Sequence, residues 1–593
     1  MKKFLLRILW GMLALSLAAC SPRKPVRLPE TTVPTLTLEP SMIKSLLINE
    51  VRLDKSFYKP GETVHLSIKL NAEVTGSAMV TLTANISHLA ESIQVIEQSA
   101  KLRNGIQEIQ LSWTPPPAAP RGYGVDLNFK SESREQLAST STAFDVLQSW
   151  TQAPRYGFLS DFQPARTDIT STLASINQYH LNALQFYDWM YRHDQFLTDQ
   201  DPYQDPLGRT LSRKTVDALI DNAHSYDISA MAYTAVYAAS LEFFRMHPDW
   251  ALLGPDGNPL MFGDNFLAYM DPRPGSPWTL HLLDQFDQIL KNTAFDGIHL
   301  DQYGDPKVGY DKDGLPYRLD QPLAQLIDAT HQHVKKLRPG GAVVFNAVTN
   351  WPIEAVAPSD EDIVYIEVWP PYNWFSELGQ LVVQAQKLGY GKAVVIAAYI
   401  SPSLEHNVRL ADAVIFSNGG GHIELGERNA MLADAYFPKY EQMSPQLSQI
   451  MQRYYDFAIR YENVIGPSTQ DATGDYRNRI EIRGTSLNPS LASNTILPAV
   501  RQSSSRTAIS LVNLLGVQSP DWKNPIPEAP TPLGATQVRL TGIQDQARRV
   551  WMASPDGLDI SLHPLAFNQS QGQIEFQLPG LSFWDMILIE WGE

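Results

Sequence analysis

Three patterns of hydrophobic and polar positions follow one another along the chain. From about residue 43 to 148, apolar and polar residues alternate in "TVHLSIKL", "AMVTLTANI", "IQEIQLSW" and "GVDLNFK", with turn signals such as "KPGE" and "RNG" between them. Alternation at period two with a turn every ten or so residues predicts a small β-sandwich. After Trp150, short apolar runs take over: "RYGFLSDF", "LNALQFYDW", "ISAMAYTAVY", "GIHLDQYG", "AVVFNAVTN", "IVYIEVW", "AVVIAAYIS" and "AVIFSNGG". Between them lie segments with helical spacing, such as "SRKTVDALIDNAHSY", "PWTLHLLDQFDQILKN", "PLAQLIDATHQHVKKL" and "WFSELGQLVVQAQKLG". Strands and helices in strict alternation predict a (β/α)₈ barrel. A doubly wound sheet would alternate in the same way, but no glycine-rich phosphate loop follows the first strand. From about residue 466 the period of two returns in "RIEIRGT", "TAISLVNLL", "TQVRLTGI" and "QIEFQLPGLSFWDMILIEW", which predicts a second β-sandwich.

The first residues fit none of these patterns. Lys2 and Lys3 precede an apolar run interrupted once by Arg7, and the run ends in "LAAC" at Cys20. That is a secretory signal, too short to be a permanent span, and its end resembles the bacterial lipoprotein box, in which the cysteine is acylated. Cys20 is the sole cysteine of the protein, so no internal disulfide can form and an anchoring role is expected. The Pro- and Thr-rich stretch after it reads as a tether. The expected organisation is a lipoprotein signal peptide over 1–19, a tether over 20–42, a sandwich over 43–148, a barrel over 149–465 and a C-terminal sandwich over 466–593. Extracytoplasmic location follows, on a bacterial cell surface or outer membrane, with the lipid at Cys20 as the contact to the membrane.

Composition narrows the partners. The chain has 593 residues and a net charge of −16, and no lysine or arginine cluster marks a nucleic-acid footprint. There is no HExxH, no histidine pair at ligand spacing and no EF-hand loop, so neither a metal nor another cofactor is expected.

A barrel of this kind carries its chemistry at the C-terminal ends of its strands. Polar residues gather there: Asp188 after the second run, Asp301 after the fourth, Asn346 and Asn350 in the fifth, Glu367 in the sixth, and His422 and Glu424 after the eighth. The connection after the third run, from about Leu241 to Ser276, is unusually long and is expected to hang over the same rim. A bare carboxylate closing an apolar strand, as Asp301 does, needs a partner, a metal or a catalytic task. Two carboxylates across a barrel mouth suit glycosidic bond cleavage, one attacking the anomeric carbon and the other donating a proton to the leaving oxygen. Asp301 and Glu367 are the expected pair. Tyr365, Glu367 and Trp369 share a face of their strand, so aromatic surroundings should raise the pKa of Glu367 and make it the acid, while Asp301 remains ionised as the nucleophile. Asp188 binds sugar hydroxyls, tunes a neighbour or pairs with Arg192, with substrate binding the favoured role. Trp189, Trp351, Trp369 and Trp374 either stack on glucose rings or pack. His422 and Glu424 either line the site or bond to one another. Tyr187, His299, Gln302 and Asn346 complete the expected substrate-binding set.

Taken in order, "RYGFLSDF", "LQFYDWMYRHD", "FDGIHLDQYGD", "YIEVWPPY", "NGGGHIELGE" with "YFPKY", "LVNLLG" and "LPGLSFWDMI" resemble glycoside hydrolase family 66. The resemblance runs from about residue 45 to the end. It implies an immunoglobulin-like N-terminal domain, a catalytic (β/α)₈ barrel, a C-terminal Greek-key sandwich and action on α-1,6-linked glucan with retention. It also implies a nucleophile at Asp301, an acid/base at Glu367 and a further essential aspartate at Asp188. Some members have glycine before the nucleophile, where this chain has Leu300. The family holds endo-dextranases and cycloisomaltooligosaccharide glucanotransferases, and the cyclising members typically carry an extra carbohydrate-binding module in the barrel region. Only 57 positions separate Glu367 from Glu424, which favours a dextranase over a transferase. A lipoprotein that only binds glycan is the third reading.

Overall fold

The computed structural model describes residues 43–488 and 493–592. The expected signal peptide, the tether and Cys20 lie outside the described residues. None of the described helices is long and apolar enough to cross a membrane.

The N-terminal strands form one hydrogen-bonded antiparallel sheet of five: Ile43–Leu53, Val64–His88, Glu91–Trp113, Arg121–Ser131 and Gln136–Val146. The second is 25 residues long, and its register breaks between Ala72 and Ser77, beside Gly76 at φ 76°. Before the break it pairs with the first strand and after it with the fourth. The alternate residues Leu66, Ile68, Leu70, Leu82 and Ala84 thereby face one core with Leu127, Phe129 and Phe144. Alternation predicts these strands well, because each buries only one face.

Eight parallel strands follow: β1 (Tyr156–Leu159), β2 (Ala183–Phe186), β3 (Ser229–Ala235), β4 (Gly297–Asp301), β5 (Ala342–Val348), β6 (Ile363–Glu367), β7 (Val394–Ala397) and β8 (Gly420–His422). They pair in chain order, β1 to β8. The circle closes where Phe158 N donates to Leu425 O at 3.2 Å and Phe158 bridges Gly426. A Cβ at Gly426 would lie 2.1 Å from Phe158 O, so the seam needs a glycine. Strand parity divides the side chains. Ala342, Val344, Ile363, Tyr365, Val395 and Ala397 fill the barrel with Tyr156, Phe158 and Met231. Val343, Phe345, Val364, Ile366, Val394 and Ile396 face outward, into a core shared with the helices.

Among the described residues, the helices of nine residues or more are α1 (Ile169–Asn177), α2 (Arg213–Ser225), α3 (Pro277–Asn292), α4 (Asp320–Leu337), α5 (Phe375–Leu388), α6 (Glu405–Ser417) and α7 (Pro445–Arg460). Four of them coincide with the predicted helical segments to within two residues. The eighth strand does not: "AVIF", expected as β8, is the last part of α6, and β8 is the Gly-Gly-His that follows. Every residue from Leu410 to Ser417 is buried, so α6 has no polar face to reveal its period, and a short apolar run of this kind is equally compatible with a strand.

Beyond the barrel, a six-stranded and a four-stranded antiparallel sheet pack Val500, Ile509, Leu511 and Ile587 of the one against Ile482, Val538, Leu540 and Phe576 of the other. Buried ion pairs fasten the N-terminal sheet to the barrel, Asp145 to Arg155 at 2.6 Å and Asp126 to Arg460 at 2.7 Å.

Candidate active site

Asp301 is the last residue of β4 and Glu367 the last of β6, and both belong to the inward parity of their strands. Between them on β5 stands Asn346. Its Nδ2 donates to Asp301 Oδ1 at 2.8 Å and to Glu367 Oε2 at 2.9 Å. The two hydrogens of a planar amide diverge by about 120°, so the oxygens they hold lie about 5 Å apart. The second oxygens are held too: Tyr233 Oη on β3 donates to Asp301 Oδ2 at 2.7 Å, and Tyr399 Oη, just after β7, donates to Glu367 Oε1 at 2.9 Å. Four consecutive strands and the start of the loop after a fifth therefore build one constellation. Tyr233 and Tyr399 are not among the residues expected from sequence, and the signal that marks them is parity: Tyr233 is paired in register with His299, one inward position below Asp301, and Tyr399 is two residues past Ala397, the register partner of Glu367.

Burial pushes Asp301 up to about 7, with the charge of Glu367 adding and the hydrogen bonds from Tyr233 and Asn346 opposing. Burial also raises Glu367, against hydrogen bonds from Asn346, Tyr399 and Trp369 and the positive charge of Lys523. The expectation that Asp301 alone would sit low is thus corrected. Two carboxyl groups this close compete for ionisation, the charge of Glu367 disfavouring that of Asp301.

Below the acids the barrel is filled by rings. His299 stacks on Tyr156 at 5.9 Å, meets Tyr365 edge-on at 5.0 Å and bonds Tyr156 Oη through Nδ1 at 3.0 Å. It is fully buried, and burial holds its pKa down at about 3, so it is a neutral floor residue rather than a sugar contact. Gln302 also differs from expectation. It is buried, and its Nε2 donates to the carbonyl oxygens of Asn346, at 3.0 Å, and Trp351, at 3.4 Å, tying the loops after β4 and β5 together.

Asp188 follows β2 in the left-handed region, at φ 53°. Its partner is not Arg192, which lies over the Tyr191 ring at 4.0 Å, but Arg209, whose Nη2 is 3.4 Å from Asp188 Oδ2 and 2.7 Å from Asp205 Oδ2. Burial pushes Asp188 up to about 7 while Arg209 pulls it down, and its charge reaches Asp301. Tyr187 stacks on Phe437 of the "YFPKY" segment at 4.4 Å and lies 4.9 Å from Tyr233. Trp189 packs in the core against Phe295 at 4.7 Å, with Nε1 donating to Tyr233 O, and is closed to a sugar. Trp351 and Trp369 are partly exposed, each under a lysine, Lys307 and Lys523 respectively. Trp374 is exposed at the start of α5 and bridges Asp521. The long connection after β3 folds into a small sheet, Ala238–Ser240, Met261–Phe262 and Leu267–Tyr269, and brings Phe262 to 4.5 Å from the exposed ring of Tyr303, two residues past Asp301.

His422 and Glu424 are not at the mouth. Ile423 occupies the inward parity, so its neighbours point outward. His422 Nδ1 lies 2.8 Å from Asp412 Oδ1 on α6 and 3.2 Å from Glu424 Oε2, Nε2 donates to Ala398 O at 2.9 Å, and Tyr455 Oη on α7 donates to Glu424 Oε1 at 3.1 Å. Among the described residues, Asp412, His422 and Glu424 are the one group spaced so that it could hold a metal ion. A charged imidazole accounts for the spacing: burial works against the charge, but Glu424 and Asp412 outweigh it and raise His422 to about 10.

The model of glycosyl hydrolase family 66 matches residues 53–588. The chain belongs to this family. It is a glycoside hydrolase. Relatives in family 66 include a cycloisomaltooligosaccharide glucanotransferase of Niallia circulans, 23% identical over 92% of this chain and 72% of its own length. A dextranase of Streptococcus salivarius is 21% identical over 89% and 73%. A crystal structure of a Paenibacillus cycloisomaltooligosaccharide glucanotransferase complexed with cycloisomaltoheptaose superposes with a TM-score of 0.84 at 22% identity, over 91% of this chain and 99% of that one. That likeness establishes the shared fold of this family 66 chain.

Proposed function

We propose that the protein is a retaining endo-glycosidase that hydrolyses internal α-1,6-glucosidic linkages of dextran to isomaltooligosaccharides. The observation that carries this reading is the amide of Asn346 spanning Asp301 and Glu367. A separation of about 5–5.5 Å suits direct attack by one carboxylate, whereas an inverting pair needs about 6.5–9.5 Å to admit a water.

In the proposed reaction Asp301 attacks the anomeric carbon while Glu367 gives its proton to the departing glycosidic oxygen, and a glucosyl ester forms on Asp301. Glu367, now ionised, takes a proton from water, whose oxygen attacks the same carbon and releases Asp301. Tyr233 and Asn346 orient the nucleophile, and Tyr399 and Asn346 orient the acid. Arg209 works against the burial that raises Asp188, and Asp188 stands beside them as a partner for sugar hydroxyls.

Transfer to a sugar hydroxyl uses the same ester and differs only in the acceptor. The similarity to glucanotransferases supports this second reading. Hydrolysis is favoured because the chain from Glu367 to Glu424 holds only α5, β7, α6 and β8, with no further module. We also place the protein outside the cytoplasm, anchored by a lipid on Cys20. Loss of membrane association in Cys20→Ala tests the anchor.

The functional test is release of reducing ends from dextran, starch and pullulan by the native protein, Asp301→Asn and Glu367→Gln, with products separated by size. Short isomaltooligosaccharides from dextran, absent with both variants, are expected. Activity confined to starch, or resistance of the products to an exo-acting glucosidase, which marks rings, would overturn the hydrolytic dextranase reading.

A further inference from the structure

The C-terminal sheets send one long loop back over the barrel. It runs from Leu514 to Leu533 and is fastened to the segment that follows β6. Trp522 N donates to Asn373 O at 3.0 Å, Trp522 Nε1 to Tyr372 O at 3.1 Å, and Phe375 N to Pro520 O at 3.0 Å. On its other side Asn407 of α6 donates to the carbonyl oxygens of Trp522 and Asn524 at 3.0 and 2.7 Å and accepts from Ile526 N at 3.0 Å. Trp522 itself is completely buried. A loop held at this many points presents its side chains in defined places.

The side chain it presents at the mouth is Lys523. Its Nζ lies 5.1 Å from the ring centre of Trp369 and 4.6 Å from that of Trp522, between two indoles. Trp369 follows Glu367 by two residues and counts among the groups that favour its ionised carboxyl, so the ammonium and the acid/base share this tryptophan as a neighbour. Asp521 and Glu367 are the acids whose charge reaches Lys523, and neither forms an ion pair with it. A partly buried ammonium with free donors, directed by rings of the kind sugars stack on, has the chemistry to bind a hydroxyl. The side of Glu367 is the side of the leaving group, since the proton must be delivered to the departing oxygen.

We propose that Lys523, supplied by the C-terminal domain, binds the sugar on the leaving-group side of the scissile bond and positions the charge next to Glu367, so that the barrel's site is incomplete without that domain. This rests on the glycosidase reading above. The ammonium favours Glu367 in its ionised form, which matters after the proton has left and before water restores it. A neutral side chain therefore costs sugar binding and also raises the proton affinity of Glu367.

The test compares the full-length native protein with Lys523→Met and Lys523→Arg, on dextran and on an aryl isomaltoside whose phenolate leaves without a proton and places no sugar on that side. Lys523→Met should lose on the order of tenfold in kcat/KM on dextran, clearly more than on the aryl substrate, and the alkaline limb of its kcat/KM profile should move to higher pH. Lys523→Arg should restore the dextran preference and the limb. Equal losses on both substrates with an unmoved alkaline limb, or a Lys523→Met profile that superposes on the native one, would overturn the proposal. A native protein inactive on dextran would instead sink the glycosidase reading, so the two failures are distinguishable.

Discussion

Tyr233 donates its hydroxyl hydrogen to Asp301 Oδ2 at 2.7 Å. The bond is made to the charged form of the carboxyl and lowers its pKa against the burial that raises it. In Tyr233→Phe, Asp301 should hold its proton to higher pH. The acid limb of kcat/KM moves up, and kcat falls on the order of tenfold to a hundredfold as one oriented hydrogen bond to the reacting group is lost. A pH–rate series reads both. A limb that stays in place contradicts the role given to Tyr233.

Asn346 holds both acids at once, so its replacement should cost more than a single hydrogen bond. Asn346→Asp puts a third carboxyl between two that already compete for ionisation, and its activity on dextran at neutral pH is expected to fall below that of Asn346→Ala. Steady-state rates of the two variants check the order. The reverse order would mean that the amide bears on packing rather than charge.

The site opposes stability. Asp301 titrates near 7 in the folded protein and near the ordinary carboxylate value when unfolded, so between about pH 4 and 7 the folded state binds more protons, and stability falls as pH rises through that window. Asp301→Asn removes the titration. Its Tm should exceed that of the native protein at pH 8, with the difference shrinking toward pH 4, as read by thermal melts across pH. A difference independent of pH contradicts the burial argument.

His422 behaves in the opposite sense. Its folded pKa is raised to about 10, so its contribution to stability is complete below the unfolded value near 6.5 and is lost as pH rises toward 10. His422→Asn leaves Asp412 and Glu424 buried without their cation and should cost about 3–5 kcal/mol in denaturant unfolding at pH 6. The KM of the folded fraction should stay unchanged, because His422 faces α6 and not the mouth. A large change in KM with native stability contradicts this placement.

What could be read from the sequence follows from where each signal is stored. Seven barrel strands and both carboxylates were legible because a parallel strand is a run of apolar residues and a carboxylate closing such a run is conspicuous. The eighth strand was not, since α6 is buried on all sides and Gly420–His422 is too short to show a period. Of the two places open to His422 and Glu424, lining the site or bonding to one another, the inward place of Ile423 decides for the second, on the outer face of the wall. Sequence leaves Trp189 open between stacking on a sugar and packing and sets His299 in the substrate-binding group, because aromatic residues suit both cores and sugars; their burial decides for the core. Arg209 displaced Arg192 as the partner of Asp188 because a hairpin, Tyr203–Gln204 with Thr210–Leu211, carries it back across the rim. Lys523 lies more than 150 positions from Glu367, and no local pattern links a loop of one domain to a strand of another.

The most direct test of the two-carboxylate account is a trapping experiment with Glu367→Gln and α-isomaltosyl fluoride. Fluoride leaves without a proton, and without the base the second step is slow. Mass spectrometry of the quenched and digested protein should find one isomaltosyl group on the peptide carrying Asp301. Release of fluoride with Asp301 unmodified would contradict a covalent intermediate there, and with it the account of the site.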